Sequence, residues 1–188
     1  MKKLGFVLLL MTIALMLGGT ALAQDYTYYF TTYFSNANTA NAPDATVRII
    51  NDGYSAENMN ADFYVFDDSE ELTECCACLV TPDGLLSESV NKNLTANPLT
   101  GIKPTRGVIK VVGSATTIPP NDPTNIVVAV GLRGWATHIQ KAVSGYAVTE
   151  TLLADSDLNE LSLLESLCKF DGLLSGKPCT CTPEDADF

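Results

Sequence analysis

Six cysteines constrain what this chain can fold into more than any other feature. They come as a CCxC cluster, Cys75, Cys76 and Cys78, and then as Cys168 followed by a CxC pair, Cys179 and Cys181. Behind an N-terminal export pattern, evenly paired cysteines read first as a disulfide framework and only second as a metal or redox site. A chain stapled this way must bring an early segment against its C-terminal end.

The export pattern is legible in the first residues. Lys2 and Lys3 form a positive start, Leu4 to Leu17 is almost entirely apolar, and Ala21-Leu22-Ala23 is a small-residue cleavage site, which predicts cleavage before Gln24. The apolar run is too short for a permanent span, and no second stretch of spanning length follows. The expected organisation is a signal peptide over 1–23, one domain over 24–174 and a tethered tail over 175–188. The expected location is periplasmic or extracellular. Removing the signal and its two lysines takes the net charge from −11 to −13. Such a surface repels nucleic acid and anionic membranes.

Period-2 patterns dominate the domain. Thr46 to Ile50 alternates and ends at the turn Asn51-Asp52-Gly53, and Ala61 to Asp67 is apolar on both faces, as in a central strand. Leu72 to Val80 carries the first cysteines, Pro82-Asp83-Gly84 turns the chain, and Leu85 to Asn91 returns. Val108 to Val112, Asn125 to Leu132 and Tyr146 to Leu152 are three more strand candidates, and Pro119 to Pro123 is loop. Leu158, Leu161, Leu164 and Cys168 recur at helical spacing. With a capping box at Asp157 and Glu160 and a stop at Gly172, they predict a helix over about 157–170. The pattern predicts an antiparallel β-sandwich of immunoglobulin-like kind with one C-terminal helix; a small β-barrel is the alternative. The aromatic stretch Tyr26 to Phe34 suits a buried N-terminal strand, or an arm for self-association by strand addition.

Several blocks together resemble a group of exported, β-rich bacterial proteins. These are Tyr64-Val65-Phe66-Asp67, Glu74-Cys75-Cys76-Ala77-Cys78, Val80-Thr81-Pro82 with Gly84-Leu85, Ser89-Val90-Asn91, Asn97 to Gly101, Trp135 to His138 and the late C…CxC. No activity is attached to that group, so the resemblance carries over no catalytic residue.

Strand alternation puts Cys76 and Cys78 on one face and Cys75 on the other. Bonds within CCxC or CxC are geometrically poor, so pairing between clusters is expected. Helical spacing turns Cys168 inward, toward the cysteine that stands alone, which predicts Cys75–Cys168. An antiparallel tail then gives Cys76–Cys181 and Cys78–Cys179, and a parallel one exchanges those partners. A thiolate site for Cu(I) or zinc is the competing reading, although zinc sites usually place two or more residues between cysteines. A redox C-x-x-C is interrupted here by a third cysteine.

Other constellations carry less. His138 is the sole histidine, no nucleophile elbow accompanies it, and a multi-histidine metal centre is excluded. Asp67, Asp68, Glu70, Glu71 and Glu74 could offer oxygens to calcium, but they match no EF-hand and read as a solvated turn. Asn93-Leu94-Thr95 is a glycosylation sequon. Phosphate-binding and dinucleotide motifs are missing. No catalytic, cofactor-binding or metal residue is assigned and no cofactor is expected. The expected role is an exported, non-catalytic structural or interaction protein with a protein or polysaccharide partner. The alternatives are an extracellular polymer hydrolase using a carboxylate pair and a thiolate metal-binding protein.

Overall fold

The computed structural model describes residues 27–116, 122–156 and 159–175. The expected signal segment, Cys179 and Cys181 lie outside them. The described residues form nine strands and one α-helix: β1 (Tyr29–Phe34), β2 (Thr46–Asn51), β3 (Met59–Asp67), β4 (Leu72–Val80), β5 (Leu85–Ser89), β6 (Gly107–Ala115), β7 (Leu132–Lys141), β8 (Tyr146–Leu152), β9 (Ala154–Asp155) and α1 (Leu161–Ser175). A single π-type turn, Val90–Leu94, follows β5.

The first sheet has the order β4-β3-β6-β1-β9 and the second β5-β2-β7-β8. Every pairing is antiparallel. The two sheets stay separate, so the architecture is the expected sandwich and not a closed barrel. Alternation along each strand fills the space between them. Phe30 and Phe34 of β1, Val47 and Ile49 of β2, Ala61, Phe63 and Val65 of β3, and Ile109 and Val111 of β6 form one buried core. Gly134 is a requirement of that packing, because a Cβ there would lie 2.4 Å from Leu153 Cδ1 and 2.7 Å from Ile49 Cδ1.

β3 is buried on both faces from Met59 to Val65, which explains its continuous apolar reading. Its second face carries Tyr64, which joins Tyr29, Leu72, Cys75 and Val112 in a smaller core under Leu164 and Cys168 of α1. The helix is thus a third layer on one sheet only.

Two sequence expectations change. The helix begins at Leu161, not near residue 157, and continues through Gly172 to Ser175. Glu160 precedes its first turn: its carbonyl accepts from Leu163 N (2.9 Å) and Leu164 N (3.0 Å), while its carboxylate is held by Tyr29 and Lys110. Gly172 does not end the helix, since glycine does so by taking a positive φ and Gly172 is not among the residues that have one. Asp157, the other half of the expected capping box, lies outside the described residues.

The second change concerns 125–132, expected as a strand. Before Leu132, its only β pairing among the described residues is one bridge, Val128 with Ser114. β1 occupies the edge of β6 as far as Val112, so the segment can bond only to the remaining end, through Ala115 N to Val127 O and Ala129 N to Gly113 O, both 2.9 Å. Regular pairing resumes at Leu132, opposite Asn51 of β2. Gly131, at φ +133°, makes the passage between sheets.

Candidate functional site

Cys75 and Cys168 form a disulfide with Cα atoms 5.8 Å apart. Cys75 pairs with Tyr64 on the helix side of β4, whereas Cys76 and Cys78 pair with Phe63 and Ala61 and enter the core between the sheets. Cys78 is disulfide-bonded as well. The predicted partners of Cys76 and Cys78, namely Cys181 and Cys179, lie outside the described residues. Cys78 Sγ is 3.6 Å from the carboxylate of Glu88, a fully buried side chain that also accepts from Asn93 Nδ2 at 2.6 Å. Sulfurs joined as disulfides cannot serve as thiolate ligands. Among the described residues no group of three or more His, Cys, Asp or Glu side chains is arranged to hold a metal. The sequon asparagine, Asn93, is buried, with its amide committed to Glu88.

The acidic run divides. Asp68, Glu70 and Glu71 are exposed in the turn between β3 and β4. Asp67 Oδ1 accepts the amides of Ser69 (2.8 Å) and Glu71 (3.0 Å), and Asp68 pairs with Arg106 at 2.6 Å. Glu74 does not belong to the turn; it is a buried residue of β4.

His138 lies within β7. Its Nδ1 donates to the Tyr33 carbonyl (3.1 Å), which leaves Nε2 to accept from the Thr151 hydroxyl (2.8 Å). The ring stacks on Tyr33 with centroids 4.1 Å apart. Burial lowers its proton affinity against the opposing effect of the Tyr33 carbonyl. Thr32, Val108, Leu152 and Ala154 complete a shallow open groove around it, and no carboxylate lines that groove.

One buried carboxyl group on β3 is strongly perturbed. Asp62 of β3 is fully buried. Its Oδ2 accepts from Ser114 Oγ at 2.5 Å, while Oδ1 has no hydrogen-bond partner among the described residues; the same is true of Asn60 Oδ1, two residues earlier on the same side. Burial raises the Asp62 carboxyl to about 7; the Ser114 hydrogen bond opposes this, and the charges of Asp122 and Glu165 add to it. An acid inside the stretch read as a central strand was the available signal.

The edges of the sheets differ in their cover. β4 and β5 approach one another at one side of the sandwich. β9 caps β1 only at Phe30 and Thr31. β8 pairs with β7 along its whole length and, among the described residues, with no strand on its other side, and Ala147 to Leu152 are all exposed. Val148 and Leu152 are 54% and 66% exposed on this strand. Tyr29–Phe34 of the aromatic stretch, by contrast, is an interior strand between β6 and β9.

No protein-family model matches the chain, and no curated protein does. A solved structure described as the crystal structure of Thermotoga maritima 1070 is similar, with a TM-score of 0.44 and 12% identity over 72% of this chain and 97% of that one. At that score the likeness carries no argument about function.

Proposed function

We propose that this is an exported, non-catalytic interaction protein of the cell envelope or extracellular space, and that it engages an extended segment of a protein partner along the open edge of β8. The observation that carries this reading is a seven-residue strand, Tyr146–Leu152, paired on one side only among the described residues and exposed along nearly all of it. Such an edge offers unpaired backbone donors and acceptors to an added strand. The usual protections are missing from it: Tyr146–Leu152 contains no proline, lysine or glycine. Its one charged residue, Glu150, is paired with Arg48 of the same sheet. Export is supported by the signal pattern and by the disulfides, which persist in oxidising compartments.

The test is crosslinking in cells that export the protein. A photoreactive side chain in place of Val148 should give one defined adduct, and the same group at Leu85, on the opposite edge strand of that sheet, should not. The adduct should vanish when Leu152→Lys is added. Equal labelling from both positions, or turnover of a polymer substrate by the purified protein, would overturn the reading.

A further inference from the structure

We propose that the segment Asp122–Val128 is a proton-controlled flap on the helix side of the first sheet, seated while the Asp62 carboxyl is protonated and released when it ionises. The segment is held by few contacts. The Tyr64 hydroxyl donates to the Pro123 carbonyl (2.6 Å), Ile126 N donates to Glu165 Oε1 (2.9 Å), and Val127 and Ala129 bond to the last residues of β6. Asp62 sits between these attachments. On its own strand it is flanked by Tyr64, which grips Pro123, and its Oδ2 is bonded to Ser114, which bridges Val128.

What faces Asp62 decides the chemistry. The segment presents Asp122 and α1 presents Glu165, both acidic, and both disfavour a third negative charge. Tyr64 gives its proton to Pro123 and not to Asp62. β4 places Ala77 opposite Asp62, and β6 places Val112 there. Lys110, opposite Tyr64 on β6, is engaged by Glu160. Among the described residues no cation pairs with Asp62. A buried carboxylate with one bare oxygen and two acidic neighbours needs water. Water can reach Oδ1 if the helix moves or if the segment lifts. The helix is bolted to β4 by Cys75–Cys168, whereas the segment has no covalent tie and is held by hydrogen bonds and the partly buried side chain of Ile126, so the segment is the part that yields.

The test is amide hydrogen exchange on the intact, oxidised protein between pH 5 and pH 8, corrected for the intrinsic pH dependence of exchange. Ile126 and Ala129 should lose protection by up to tenfold per pH unit up to about pH 7 and then level off, while core amides such as Val111 stay unchanged. In Asp62→Asn the protection should be flat across this range. Asp122→Asn keeps the oxygen that accepts from Thr124 and should move the midpoint to lower pH, so the idea remains testable if Asp62→Asn fails to fold. Protection of Ile126 and Ala129 that does not change with pH would overturn the proposal, as would a midpoint unmoved by Asp122→Asn.

Discussion

Cys75 on the helix side of β4 and Cys168 on the inner side of α1 meet with Cα atoms 5.8 Å apart, across 93 residues of chain. This one bond ties the C-terminal layer to the edge strand of the first sheet and sets which parts of that layer can move. The small core around it, with Tyr29, Tyr64 and Leu164, is completed only when the helix is docked.

Removing this bond with Cys75→Ala and Cys168→Ala together should cost about 2–4 kcal/mol, the usual range for one disulfide, because Cys78 stays cross-linked. Urea unfolding under non-reducing conditions measures it. The double variant should keep the sandwich, because the core between the sheets contains neither cysteine.

The pH dependence of stability should differ between the wild-type protein and Asp62→Asn. The carboxyl stands at about 7 when folded and near its ordinary value, about 3.9, when unfolded. The folded state therefore holds a proton that the unfolded state has lost throughout that window. Relative to Asp62→Asn, wild-type stability should fall as pH rises from about 4 to about 7, then stay constant. The full difference is about 4 kcal/mol by linkage. Denaturant midpoints of the two proteins at pH 5 and pH 8 give the answer.

His138 works in the opposite sense. Burial favours its neutral ring, so its contribution is present above its ordinary value, about 6.5, and is lost as pH falls. Loss of the Tyr33 and Thr151 hydrogen bonds in His138→Ala should cost about 1–3 kcal/mol. Any activity found by screening should survive, because both ring nitrogens are occupied by structural partners. Thermal unfolding at two pH values alongside the screen tests both parts.

Two glycines should respond with opposite signs. A Cβ at Gly107 would lie 1.9 Å from the backbone oxygen of Phe66, so Gly107→Ala should destabilise by about 3 kcal/mol or more, or prevent folding. At Gly172, inside α1, a Cβ meets nothing within 4 Å, and Gly172→Ala should stabilise by up to about 1 kcal/mol. Melting temperatures of the two variants decide it.

Much of the fold is written in local pattern. Alternation located β2, where one face is buried and the other is not, and a continuous apolar run located β3, which is buried on both faces. Alternation also separates Cys75 from Cys76 and Cys78, and helical spacing turns Cys168 inward, so the pattern by itself points to Cys75–Cys168. Residues 125–132 carry an equally good alternation, yet only Leu132, the first residue of β7, belongs to a strand. Pattern states which face a segment would bury, but whether it pairs depends on a free edge beside it, and β1 had taken most of that edge on β6. The helix start moved for a similar reason, since Glu160 is held by Tyr29 and Lys110 from strands far away in sequence. Asp62 illustrates the limit most sharply. Its sequence position marks it as a central-strand residue and nothing more. Its bare oxygen, its acidic neighbours from two other elements and its raised proton affinity arise only when the segment 122–128 and α1 close over the sheet, because desolvation and charge proximity belong to the assembled fold and not to the order of residues.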